Sequence, residues 1–302
     1  MIFTRKMKKL LIASAVIASI GIIFLMIGYF TARTTEVSLF DQIQNEDGNY
    51  VYTYEFNGAD IKKLSVDISY SDVNIIGNAD KNMIEIVNFS KNNIHLTASA
   101  TTVTVKEKSA ISSLFNLNFE GLRNYINSSR LLNKTKIVNI YLTADSVMRL
   151  IETKLYSGDV NVSGVYLDTD YEINLSYGSV LFDDVKTKGE FNANVSEGNV
   201  DIKDSEIYLH KAVLGRGYDN IENSNLTEIN ADIGKGYYKH KTSRDNMLSS
   251  VLRLKTDNGR VRFGGDIYEN GSFSQGLEYS GSDVEQVVIT VHVKDGNIMI
   301  TE

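Results

Sequence analysis

The 302-residue chain contains no cysteine and no proline. The first absence removes disulfide staples, thiol catalysis and zinc–thiolate sites together, so the fold is held by noncovalent packing. The second fits a chain whose backbone N–H groups are spent in sheet ladders, because proline cannot donate to one. Basic charge is also scarce: 31 Lys and Arg stand against 38 Asp and Glu, a net charge of −7. Phosphate backbones need a basic stripe, and none appears beyond the first nine residues, which argues against a nucleic-acid partner. The same sign weakly repels anionic envelope polymers unless cations intervene. No nucleophile–base pair, phosphate loop or acid–base dyad stands out.

What the chain does have is a period. Gly158, Gly178, Gly198, Gly217, Gly236, Gly259 and Gly296 share one hydrophobic frame, and the first five recur every 19 or 20 residues. Ahead of each glycine, apolar side chains alternate, as in Tyr171, Ile173, Leu175 or Ile289, Val291, Val293. Behind it the alternation resumes, as in Val180, Phe182 or Ile298, Ile300. Alternation on both sides predicts strand, turn, strand, with the chain bending at the glycine. A unit of this length cannot bury its own apolar face, so it must stack on copies of itself. The predicted fold class is all-β, a β-solenoid or β-helix-like stack with glycine corners. A hairpin meander would not require a fixed pitch. Leu64, Val66, Ile68, Val73 and Ile75 place an eighth corner at Ser71. Short strands expected at 83–89, 94–98, 101–106 and 136–143 widen this first coil.

Two rungs break the apolar rule. Around Gly217 the inward places read His210, Ala212, Leu214, Asp219 and Ile221; after Gly236 they read Tyr238 and His240. His210, Asp219 and His240 have metal-ligand chemistry, but no HxH, HxxxH or HExxH spacing accompanies them. The expectation is a histidine packed among its neighbours or turned outward by a bulge, with no metal and no cofactor. Asp159, Asp183, Asp184, Asp201, Asp204 and Asp219 read as turn formers, since no calcium-binding nonapeptide repeat is present.

The remaining segments set the organisation. Residues 1–9 are a basic tip, and 10–30 are 21 residues without a charge. At about 1.5 Å per residue, that run spans a hydrocarbon core of about 30 Å. Basic flanks stay in the cytoplasm, so a single-pass signal anchor is expected, with everything beyond it outside the membrane. An apolar run this long, ending in Phe30, Thr31, Ala32, argues against a cleaved leader. Residues 31–60 read as a juxtamembrane stalk ending in a strand (Tyr50, Tyr52, Tyr54, Phe56), and 61–302 as the exported domain. Within it, 109–135 lack alternation and read as a cap over the first rung or a docking face. Residues 264–284 interrupt the pitch, and the strand at 297–301 is expected to close the stack.

The corners LYSGDVNV, LSYGSVLF and VSEGNVDI, the later TDNGRVRFGG and the terminal VVITVHVKDGNIMI resemble the DUF4097 family of putative adhesins, also called toastrack domains. The similarity covers about residues 60 to 302 and departs at Ser71 and at the Gly217 and Gly236 rungs. It implies a β-solenoid-like domain carried outside one membrane helix in bacteria, and it brings no catalytic residues. The expected function is therefore a non-enzymatic, membrane-tethered platform that binds an envelope protein or a cell-wall polymer. The alternative is a polysaccharide-active, lyase-like β-helix enzyme. Its only candidate acids are Asp183, Asp201 and Asp204, with Lys186 or Lys203 as base.

Overall fold

The computed structural model describes residues 41–44, 50–89, 93–107, 134–269, 272–275 and 287–302. The expected anchor at 10–30, residues 31–40 of the stalk and all but the last two residues of 109–135 lie outside them. A compact unit runs from Gln42 to Glu302.

The described residues are nearly all strand. In order come β1 (Asp41–Gln44), β2 (Tyr50–Glu55), β3 (Lys63–Tyr70), β4 (Asp72–Ile76), β5 (Met83–Val87), β6 (Ile94–Ala98) and β7 (Thr102–Glu107). Next are β8 (Ile137–Tyr141), β9 (Leu150–Ser157), β10 (Val160–Ser163), β11 (Asp170–Asp183), β12 (Lys186–Lys203), β13 (Glu206–Glu222) and β14 (Asn225–Lys241). A short helix α1 (Arg244–Ser249), capped by the Ser243 hydroxyl, precedes β15 (Val251–Asn258), β16 (Arg260–Phe263), β17 (Asp266–Glu269), β18 (Ser272–Gln275) and β19 (Val288–Thr301).

The strands stack as parallel rungs whose repeat positions fall in register. Tyr171 pairs with Phe191, Phe191 with His210, His210 with Ile229, and Ile229 with Ile289. The corner glycines form a line of the same kind, Gly178 to Gly198 to Gly217 to Gly236 to Gly296. The inward positions are buried throughout, including Leu64, Val66, Ile75, Val160, Phe182, Val200, Ile221, Ile233 and Ile300. Burying a side chain of this size contributes roughly 1.5–3 kcal/mol, so the core is the main source of stability.

Three expectations need correcting. Strand, corner, strand holds at Ser71, Gly158 and Gly259, which separate β3 from β4, β9 from β10 and β15 from β16, but β11, β12, β13, β14 and β19 each run unbroken through their glycine. In those strands the bend is therefore part of the hydrogen-bonded ladder. Second, the Ser71 rung (β3, β4) is not the outermost, because β7 pairs with β3 and β8 with β4 on its far side. Third, the last strand does not close the stack. β19 lies between β14 and the rung built of β15 and β16. After β14 the chain passes through α1 and leaves one rung open; β19, with Ile289, Val291, Val293, Ile298 and Ile300 buried, fills it.

Both ends are finished by antiparallel strands, which convert the parallel stack into hairpins and cover its edges. At one end β6 lies on β7, β5 on β8 and β2 on β5. At the other, β18 lies on β15 and β17 on β16. The expected strand at 50–56 thus forms as β2 and joins a cap.

The corner row explains why glycine recurs. Gly178, Gly198, Gly217, Gly236 and Gly296 hold φ between +134° and +155°, a region that side chains with a Cβ rarely enter. A Cβ on Gly198 would lie 1.6 Å from the Gly178 carbonyl oxygen, and one on Gly217 1.6 Å from that of Gly198. Each missing Cβ faces the preceding rung of the stack. Ser71 is not among the residues at positive φ, so a Cβ carries no conformational penalty there, and the Ser71 hydroxyl reaches the Lys136 carbonyl at 3.3 Å. A second corner uses the left-handed region at Gly164, Asp184, Asp204 and Asn223, with φ between +48° and +61°. Asp and Asn accept that conformation more readily than most residues.

Gly198→Ala is expected to cost at least ~3 kcal/mol or to prevent folding, since it adds both a backbone clash and strain. Gly265→Ala meets nothing within 4 Å and is expected to be nearly neutral. Chemical denaturation of the two variants separates these outcomes; equal midpoints would refute the corner account.

Candidate functional site

Three places carry chemistry beyond packing: a polar cluster in the core, a groove on one side, and an exposed row of tyrosines.

The core cluster grows from an aromatic column. Tyr171 meets Phe182 edge to face at 4.9 Å, Phe182 stacks on Phe191 at 3.9 Å, and Phe191 stacks on the His210 ring at 5.0 Å. His210 therefore takes the place an aromatic residue holds in the rungs before it. Its Nε2–H donates to both oxygens of Asp219, at 3.0 and 3.2 Å, and both side chains are fully buried. Asp219, read both as an inward place and as a turn former, is an inward residue of β13. It faces His210 because the two sit on opposite sides of one bend, both at inward positions. The His240 ring lies nearby on the next rung, in long contact with the Tyr238 hydroxyl at 3.5 Å. His210 Nδ1, His240 Nε2 and Tyr171 OH have no hydrogen-bond partner among the described residues. Both histidines are thus packed rather than turned outward. Among the described residues, no three His, Asp or Glu side chains converge as a metal site would require.

Burial dominates the electrostatics here. It raises the Tyr171 and Tyr238 phenols well above their usual value. It also holds the His240 imidazole down to about 4, with His210 as the second cause.

The groove, of about 800 Å³, opens where the chain skips a rung. Its walls include Lys186, Tyr208, Leu226, His240, Asn246 and Val287. Lys186 is bound to Glu206 at 3.0 Å, and Tyr166 donates to Asp184 at 2.5 Å.

The exposed row lies at the glycine corner. Tyr70 and Tyr177 both pair in register with Ser157, on either side of β9, and Tyr156 stands beside that serine. Their rings meet edge to face, Tyr70 with Tyr156 at 5.5 Å and Tyr156 with Tyr177 at 5.4 Å. They remain 57%, 50% and 44% exposed, so the contacts leave ring surface available. The next residues in the Tyr177 line are Glu197, Arg216 and Lys235, which ends the aromatic stretch.

The remaining sequence candidates separate into structural tasks. Ser71 and the seven glycines form the corner row, with Gly259 at its end against the Gly296 carbonyl. Asp201 accepts from Asn220 Nδ2 at 2.9 Å and from the Tyr218 hydroxyl at 3.2 Å. Asp183 is the register partner of Lys203, and Asp204 occupies a left-handed corner. Lys186 lies at the groove with Glu206. The tyrosine row was missed because the repeat was read for its inward places; LYSG and LSYG carry the signal, but Tyr156 stands one step further from its glycine than Tyr177 does.

No family model matches the sequence, and no curated protein matches it. Among solved structures, the chain is similar to a putative adhesin from Bacteroides fragilis (13% identity, TM-score 0.49, 86% of this chain and 100% of that one). It is also similar to a putative adhesin from Parabacteroides merdae (12%, 0.40, 86% and 99%) and a putative cell adhesion protein from Clostridium sporogenes (17%, 0.28, 84% and 98%). At these values the likenesses speak to neither the ligand nor the activity of this chain.

The core cluster gives two predictions. In the unfolded chain His240 takes up a proton below its ordinary value of about 6.5, while the folded chain resists until about 4. Stability is therefore complete above that ordinary value and is lost as pH falls toward 4, by roughly 3 kcal/mol in all. Melting curves of wild type and His240→Leu between pH 7 and pH 4.5 check this, the variant losing less; parallel profiles would exclude His240 as the cause. Asp219→Ala leaves His210 buried without its partner and is expected to cost about 3–5 kcal/mol. The double variant His210→Leu/Asp219→Leu should be closer to wild type in denaturation midpoint.

Proposed function

We propose that the chain is a non-enzymatic, membrane-tethered binding or assembly platform at the bacterial cell envelope. Residues 10–30 anchor it, 1–9 remain in the cytoplasm, 31–60 form the juxtamembrane stalk and its entry strand β2, which joins the cap, and 61–302 make an extracytoplasmic β-solenoid. The observation that carries this reading is the exposed tyrosine row, Tyr70, Tyr156 and Tyr177, on a stack whose corner glycines pack against the backbone of the neighbouring rung. Such a surface presents repeated outward positions at a rung spacing of about 4.8 Å without any further ordering. Of the lyase alternative's candidates, Lys186 is paired with Glu206, Asp201 is held by Asn220 and Tyr218, and Asp204 occupies a left-handed corner, which favours binding over turnover. The charge-free run at 10–30 and its basic flank support the tethering.

Photo-crosslinkers at Asn194, Tyr177 and Lys154 in intact cells are expected to recover a recurring envelope protein or wall polymer. Repeated recovery of none from all three positions would overturn the platform. Protease added outside spheroplasts is expected to degrade 61–302; complete protection would overturn the topology.

A further inference from the structure

We infer that the row Tyr70, Tyr156 and Tyr177 binds an extended, electrically neutral polysaccharide, the rings stacking on successive sugar faces. This rests on the platform reading and names its ligand class. Three observations lead to it. The rings are one contiguous set on three adjacent rungs, β3, β9 and β11, and each remains about half exposed after contacting its neighbour. The edge-to-face contacts fix ring orientation before any ligand arrives, so little side-chain freedom is left to lose on binding. Tyrosine supplies a large rigid face with a polar tip, which matches a sugar's apolar C–H face and its rim of hydroxyls.

Charge decides between neutral and anionic polymers. Among the described residues no lysine or arginine lies over any of the three rings; the ring-bound cations are Lys136 on Phe89 and Lys186 on Tyr166. Across the bend stand carboxylates instead. Asp72 Oδ1 accepts from the Asp159 amide at 3.0 Å, and Asp159 Oδ1 from the Ser179 amide at 2.8 Å. Each retains its second oxygen, an acceptor for a sugar hydroxyl and a source of repulsion for phosphate or uronate. Glu197, next in the Tyr177 line, adds to the same sign. The row ends there, so the footprint is short and the affinity of one copy modest.

The test uses the full chain in detergent micelles, sedimented with insoluble β-glucan, with chitin, and separately with pectate-coated beads as the anionic comparator. Retention on at least one neutral polymer is expected, with weaker retention on pectate. Tyr177→Ser should weaken binding about tenfold, and the stack tolerates it because Ser157 already holds the same register position next door. Tyr156→Phe, which keeps the ring, should stay within about threefold, and Tyr208→Ala, an exposed tyrosine at the groove, should not change binding. Melting temperatures matching wild type establish that the losses are local. No retention on either neutral polymer, retention unaffected by Tyr177→Ser, or tighter binding to pectate would each overturn the assignment. Cellular crosslinks from Asn194 and Lys154 would survive such a failure, which separates it from failure of the platform itself.

Discussion

Everything in this molecule depends on one close approach of backbone to backbone. At the corner row each glycine lies so near the carbonyl of the neighbouring rung that a single methyl group has no space. The contact does two jobs. In β11, β12, β13, β14 and β19 it keeps the hydrogen-bonded ladder continuous through a sharp bend, so the two arms of those coils are one strand. It also sets the rung spacing along the whole row, which fixes where outward side chains stand relative to those above and below. Tyr70 and Tyr177 share one register position along it, with Tyr156 one step away.

The interior shows how much polarity such a frame tolerates. His210, Asp219, Tyr238 and His240 stand where other rungs place valine and isoleucine. The same rungs carry alanine at their middle inward position, Ala212 and Ala231, as β12 carries Ala193 beside Phe191. Bulky and small residues therefore alternate within a coil, and the volume per rung stays nearly even. The unsatisfied nitrogens of His210 and His240 mark places where the frame holds groups that would otherwise seek water. A buried pair of this kind is weak evidence for stability, and its removal together is less damaging than the removal of one member.

Much of the coil was legible because two periods coincide in the sequence. Alternation by two gave the inward residues, and the pitch of 19 or 20 gave the stacking, so Leu64, Val180 and Ile298 were placed correctly. Order along the stack was not legible. Periodicity says that rungs pair with like rungs, but Ile289 and Ile298 fit any opening lined by aliphatic neighbours, and only the completed structure shows that this opening lies between β14 and β15. The nature of the bend escaped for a related reason: a glycine at positive φ looks the same in sequence whether it ends a strand or lies within one. Asp219 fell at an inward place yet also read as a turn former, because aspartate usually is one, and its partner nine positions earlier is visible only once the coil has folded back. The outward tyrosines obey no strict spacing, since the rings reach one another from different steps before the glycine.

The insertion of β19 between two rungs made earlier in the chain has a consequence for how the molecule is assembled. As the polypeptide emerges in order, β15 and β16 have no rung to rest on until β19 arrives, and β3 and β4 likewise wait for β7 and β8 to close over them. Contacts this distant in sequence carry a large loop-closure cost, which slows their formation. Growth from one end, the habit of simple repeat proteins, is thereby forbidden at both termini of the stack. The strand latest in the sequence acts as a keystone: the arch stays open while the chain is being threaded, and locks when that piece drops in.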